Sequence, residues 1–176
     1  PLKQDFQNRM KETFLFSPKN QAFHQRIMIW KSSFDMFKHN KTIGVGWGMF
    51  ESNFPFYQSK YMEQDLYAPY RTHANNTHNE IFEILTQTGA IGFILYFGFF
   101  ILLFIKVLKL LNEDKIKENN KIFLIVLTTS IFAMLVDNLM NVSLHFAMPM
   151  IIFWFIVSCL IYEINSYTFD FELNKF

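Results

Sequence analysis

Three uninterrupted apolar runs, residues 90–111, 122–140 and 143–162, constrain this 176-residue chain more than any other feature. Each is close to the ~20 residues that cross a bilayer core, and none carries Lys or Arg except near an end. They read as transmembrane helices. Composition agrees: 51% of the residues are hydrophobic and 23 are Phe, more than a soluble core of this size hides. Residues 1–88 are different in kind, being polar, basic and aromatic. A net charge of +1 with no Lys/Arg-rich block excludes nucleic acid as a partner and leaves membrane lipid. The expected fold class is all-α, a polytopic membrane protein whose three C-terminal spans follow a large outer helical loop.

Orientation follows from one short connector. Residues 112–121 carry Lys115, Lys117 and Lys121, and Lys106 and Lys109 lie just inside the preceding run, so this connector is expected in the cytoplasm. Residues 1–89 then lie outside, and residues 163–176 form a cytoplasmic tail. The outer segment has ten Lys or Arg of its own, but long segments translocate regardless of charge. The chain starts without Met or a signal peptide and with a polar segment ahead of its first span. A preceding N-terminal part is therefore expected, and this piece alone is expected to be inactive. The single Cys159 permits no internal disulfide and no thiolate metal cluster.

Within the outer segment, Ser17-Pro18 marks an N-cap and a first helical position, which predicts a helix over about 18–38. Phe23, Ile27, Trp30, Phe34 and Phe37 form its apolar stripe, with Lys31, Asp35 and Lys38 on the other side. Gly44, Gly46 and Gly48 predict a turn, because no strand precedes them as a dinucleotide-binding loop requires. Residues 50–70 show no periodicity and read as an irregular loop. Thr77 and Glu80 have capping-box spacing, so a second helix is expected to start at His78. Gly89 and Gly92 then mark a bend or a close approach where that helix meets the first span.

Arg26 through Trp30, the Gly44-Val-Gly-Trp-Gly48 turn with Phe50, and His78-Asn79 followed by Leu85, Gly89 and Gly92 together resemble the conserved C-terminal region of O-antigen ligases and polymerases. The resemblance covers roughly residues 20 to 160. It implies a bacterial inner-membrane enzyme that takes a glycan from an undecaprenyl-pyrophosphate carrier, on the outer side and with no metal or other cofactor. The acceptor would be a hydroxyl of lipid A core, another glycan or a protein.

The residues suit that chemistry. A guanidinium presents a planar fork for a pyrophosphate, which makes Arg26 and Arg71 the expected donor-binding residues. Read without the resemblance, Arg26 is an ordinary interfacial arginine. A helix N-terminus favours bound phosphate and lowers a nearby histidine's pKa, which assigns His78 as the general base for the acceptor hydroxyl. Trp30, Asn79, Asp137 and Asn138 are expected to support these three, the last two from the outer end of the second span, with Asn141 and His145 in the short outer turn that follows as further supporting candidates. His73 is a weaker candidate contact. His73, His78, Glu80 and Asp65 match no common metal-ligand spacing, and no nucleophile is visible. Two other functions remain open at this point: a polymerase sharing the same motifs, and a lipid-linked glycan transporter in which the cations only guide an anionic lipid. Against the transporter, the polar groups cluster in the outer segment rather than at the bilayer midplane.

Overall fold

A computed structural model describes residues 21–64, 67–113 and 116–173, so the Ser17-Pro18 helix start falls outside the described residues. Among the described residues five helices follow in order: α1 (Gln21–His39), α2 (Phe50–Met62), α3 (Glu80–Leu111), α4 (Glu118–Asp137) and α5 (Ala147–Leu173). Short 3₁₀ turns occupy Ala68–Tyr70 and Ser143–His145, and no strand occurs among the described residues. The protein is all-helical, as expected. The chain divides into two compact units, one running to Thr77 and including Phe82–Ala90, the other comprising His78–Ile81 and everything from Ile91 onward.

In the first unit α1 packs on α2. The face that α1 buries is not its most apolar one. Met28, Ile29, Ser32, Ser33 and Met36 are buried, whereas Phe34 of the expected stripe is 46% exposed and Phe23, Ile27, Trp30 and Phe37 are half-buried. What α2 offers decides this. Its Phe50 and Phe54 stack on each other and fit against Ile29, Met36 and Ala74. Asp35 is drawn to the same interface by Lys60 at 2.8 Å and the Tyr61 hydroxyl at 2.7 Å.

The helix α2 itself departs from the expected irregular loop. Pro55 lies inside it, removing one backbone donor, and its aromatic residues are weak helix formers, which masks the pattern. Its buried residues nevertheless follow helical steps: Phe50, Phe54, Gln58 and Tyr61. Tertiary burial of that face outweighs the poor local propensity.

The glycine-rich turn is a turn, and it has a structural task. Helix α3 is interrupted at Gly89, whose φ of 67° and ψ of −166° end the first helical stretch, residues 80–88, before a new one begins. The carbonyls left unpaired there are capped from the turn: Val45 N–H donates to Thr86 O at 2.8 Å and Gly46 N–H to Gln87 O at 3.0 Å. On the far side of the bend, Ala90 N–H donates to Lys41 O at 2.7 Å. These bonds bring backbone against backbone. A Cβ on Gly44 would lie 2.4 Å from the Gln87 carbonyl carbon, and one on Gly89 2.4 Å from that of Thr42. Both positions also have positive φ, so only glycine fits. Of the bend or close helix approach expected at Gly89 and Gly92, the bend is present at Gly89, and what lies against it is a turn rather than a helix.

The second unit holds the apolar helices. Phe100, Leu103, Val107 and Leu110 of α3 meet Leu124 and Ile131 of α4 and Phe153, Val157, Leu160 and Ile164 of α5 in one core. Their spacings of three and four put one stripe of each helix inward. The remaining faces expose Ile94, Leu95, Leu102, Leu108, Ile151 and Phe155 among others, far more apolar surface than water tolerates. Stretches within Glu80–Leu111, Glu118–Asp137 and Ala147–Tyr167 are long and apolar enough to cross a membrane. These are the three expected spans, with α4 ending at Asp137 and α5 starting at Ala147 and continuing past residue 162.

Candidate active site

Between α2 and α3 the chain has almost no regular structure, yet it is fastened residue by residue. Gln58 grips both backbone groups of Thr72, with Nε2 donating to Thr72 O at 2.9 Å and Oε1 accepting from Thr72 N–H at 3.0 Å. This fixes the backbone immediately after Arg71. His73 pairs with Glu51 at 2.9 Å on the surface, and Ala74 is buried against Ile29 and Phe54. Thr77, with no exposed surface, is held at both its peptide groups: Trp30 Nε1 donates to Thr77 O at 3.0 Å, and Thr77 N–H donates to Glu83 Oε2 at 2.7 Å. Trp30 also stacks on Phe82 with ring centroids 5.9 Å apart. Trp30 thus ties α1, one turn beyond Arg26, to the peptide that precedes His78.

The expected capping box does not form. Helix α3 begins at Glu80 rather than His78, and the carboxylate that accepts the Thr77 amide belongs to Glu83, three residues further on. His78 lies ahead of the helix at a φ of 52°, the one positive value among the described non-glycine residues. A left-handed side-chain-bearing residue costs roughly 1–2 kcal/mol, which the surrounding bonds must offset. The reason lies in the chain path. Glu80 N–H donates to Asn138 O at 2.8 Å and Asn79 Nδ2 to Leu139 O at 2.7 Å, so the backbone has to turn at His78 to reach the end of α4. His78 is left exposed at this corner.

Glu80 has a different partner. Its carboxylate, 4% exposed, meets His145 Nε2 at 3.0 Å in the turn before α5, and the Tyr96 hydroxyl approaches it as well. Glu83 and Gln87 continue the same polar line along the helix, both buried, with Gln87 Nε2 donating to Glu83 Oε1 and Gly48 N–H donating to Gln87 Oε1. A hydrogen-bonded chain therefore runs from the Thr77 amide through Glu83 and Gln87 to the glycine-rich turn. Sequence reasoning passed over Gln58, Glu83 and Gln87. The signal for two of them was present, because Glu80, Glu83 and Gln87 recur at helical spacing on a segment entering a span.

Of the expected supporting residues, Trp30 bonds Thr77 within the first unit, and Asn79 and Asn138 lie in the second unit with His78. Asn138 is wholly buried, with Nδ2 donating to Met134 O at 2.8 Å and Oδ1 accepting from Leu144 N–H at 3.1 Å. Asp137 does something else. It is exposed and accepts from Asn141 Nδ2 and Ser143 Oγ, both at 2.8 Å, which closes the turn between α4 and α5. Arg26 is half-buried on α1 and Arg71 exposed ahead of the Thr72 clamp; neither has an ion-pair partner among the described residues. Both belong to the first unit and His78 to the second. No group of three or more His, Cys, Asp or Glu able to hold a metal occurs among the described residues.

The first unit carries one strong electrostatic centre. Burial works to raise the Asp35 carboxyl, but hydrogen bonds from Lys60 and Tyr61 and the Lys60 charge outweigh it and hold Asp35 below the usual aspartate value. Burial, then the hydrogen bond to Asp35 and the Asp35 charge, push the Tyr61 hydroxyl up to about 12. Lys31 Nζ donates to the Tyr67 hydroxyl at 2.8 Å beside it. All these groups join α1 to α2 and the segment after it, so the centre is a clamp on the scaffold that carries Arg26 and Gln58.

No curated protein and no solved structure matches the chain. A family model does. The model described as O-antigen ligase matches residues 3–97, which takes in Arg26, the glycine-rich turn, Arg71, the left-handed His78 and the Gly89 bend. That match spans more than half of the sequence and, with three helices fit to cross a membrane, places this membrane protein: the chain belongs to the O-antigen ligase family.

Proposed function

We propose that this protein transfers a glycan from an undecaprenyl-pyrophosphate carrier to an acceptor hydroxyl at the outer face of the bacterial inner membrane, with His78 as general base and Arg26 and Arg71 binding the pyrophosphate. The observation that carries the reading is the backbone of His78. The histidine is exposed at a left-handed corner, and the residues that follow it, Asn79 and Glu80, are hydrogen-bonded to the end of α4. Bracing of this kind suits an imidazole that must meet a substrate hydroxyl in a set direction. Removing the acceptor's proton makes its oxygen the nucleophile at the anomeric carbon. The bond to the carrier pyrophosphate breaks as the new glycosidic bond forms, and two guanidinium groups stabilise the departing charge.

Family membership supports a lipid-linked glycan and an acceptor as partners. The acceptor decides between ligase and polymerase, and ligation to a non-identical acceptor is the reading taken here. The test is transfer by the full-length protein in membranes, using a pyrophosphate-linked donor and candidate acceptors. Wild-type protein should transfer, Arg26→Ala should lose most activity and donor affinity, and Arg26→Lys should keep part of both because charge remains while the bidentate fork is lost. Unchanged donor affinity and rate in Arg26→Ala would refute the donor-binding role.

A further inference from the structure

His78 begins a four-residue stretch, His78–Ile81, that packs with the apolar helices rather than with the residues on either side of it. The end of α4 and the turn after it make three contacts to the stretch, and Tyr96 of α3 also approaches the Glu80 carboxylate. Glu80 N–H donates to Asn138 O, Asn79 Nδ2 donates to Leu139 O, and the Glu80 carboxylate meets His145. The first two are backbone acceptors that any sequence would supply. The third is chemically specific. A carboxylate with 4% of its side chain exposed is costly to bury without hydrogen-bond partners, and the His145 imidazole meets it at 3.0 Å beside the Tyr96 hydroxyl. The turn that carries His145 is itself rigid, since Asp137 accepts from Asn141 and Ser143 and buried Asn138 accepts the Leu144 amide.

We infer that His145 is a positioning residue for transfer: acting through Glu80, it holds the strained His78 backbone against the turn between the last two spans, which makes that turn a working part of the site. The inference rests on the reading of His78 as the base. A helix start that needed only capping would be served by Glu83, which already takes the Thr77 amide. The Glu80–His145 pair therefore does a separate job, and its loss should misdirect His78 without removing the donor site.

The experiment uses full-length protein in nanodiscs with two readouts, hydrogen exchange at the Glu80 amide and the kinetics of transfer. His145→Ala should speed exchange at that amide about tenfold and lower kcat by about tenfold or more, with the donor KM within about twofold of wild type. His145→Gln, which keeps a donor for Glu80, should recover part of both. Unchanged protection of the Glu80 amide overturns the inference, and so does lost protection with unchanged kcat. Should His145→Ala fail to accumulate, His145→Gln and Glu80→Gln are read in the same two arms against the same criteria. A wild-type protein that transfers nothing overturns the transfer reading itself, while the exchange arm still decides whether His145 holds this segment.

Discussion

Gln58 binds Thr72 as one strand binds another, donating to its carbonyl at 2.9 Å and accepting from its amide at 3.0 Å, so a single side chain on α2 sets the course of the loop that begins at Arg71. Two neutral hydrogen bonds of this kind contribute about 1 kcal/mol each. Gln58→Ala should lose both and leave buried backbone groups unpaired, lowering thermal stability and weakening donor binding by displacing Arg71. Gln58→Glu retains the acceptor and should fall between. Thermal unfolding and donor affinity of the two variants check this, and equal affinity in both would separate Arg71 from the clamp.

Gly89 should tolerate no side chain. Its φ of 67° is left-handed and a Cβ would sit 2.4 Å from the Thr42 carbonyl carbon, so Gly89→Ala has to move the turn that caps the helical stretch 80–88. A marked loss of folded protein in membranes is expected. Gly98, whose Cβ would meet nothing within 4 Å, is the control, and Gly98→Ala should accumulate normally. Fluorescence-detected size exclusion of both variants distinguishes them.

Replacing His78 should separate chemistry from folding. His78→Gly relieves the left-handed strain and should leave the protein as stable as wild type or more so, by up to about 1 kcal/mol. Transfer should nonetheless fall by ~10²–10⁴-fold, the usual loss on removing a general base. A glycine variant that melts normally and transfers at close to the wild-type rate would dismiss the general-base role and leave leaving-group stabilisation by Arg26 and Arg71 to account for the rate.

Asp35 predicts how the first unit responds to acid. Its carboxyl is held below the ordinary value, so the folded form binds a proton less readily than the unfolded chain does. The resulting stabilisation is complete above the unfolded value of about 4 and is lost as pH falls through the lower, folded one. Near-UV circular dichroism of thermal unfolding should show the unit weakening below about pH 4, and Asp35→Asn should flatten that dependence. Lys60 is largely exposed, so Lys60→Ala should matter less than Tyr61→Phe.

Topology is open to direct labelling. In a Cys159→Ala background, a cysteine at exposed Ser59 should react in intact cells with a membrane-impermeant thiol reagent, and one at exposed Asn119 should react only after permeabilisation. The opposite pattern would put His78 in the cytoplasm and end the proposal of transfer at the outer face.

The spans and the bend at Gly89 were legible in the amino-acid sequence because each depends on local facts: run length and the absence of a side chain. His78, Arg26 and the turn at Gly44–Gly48 stood out for their residue types and order. Helix α2 was not legible, since Pro55 and a dense set of aromatics argue locally against a helix that only burial of Phe50 and Phe54 sustains. Nor was the buried face of α1, where Asp35 goes inward because Lys60 and Tyr61 await it. The cap shows the limit most sharply. Thr77 and Glu80 have the right spacing, but a hydrogen bond is decided by where the chain travels, and the pull of Asn138 and Leu139 on residues 79 and 80 turns the backbone at His78, hands the cap to Glu83 and sends Glu80 to His145.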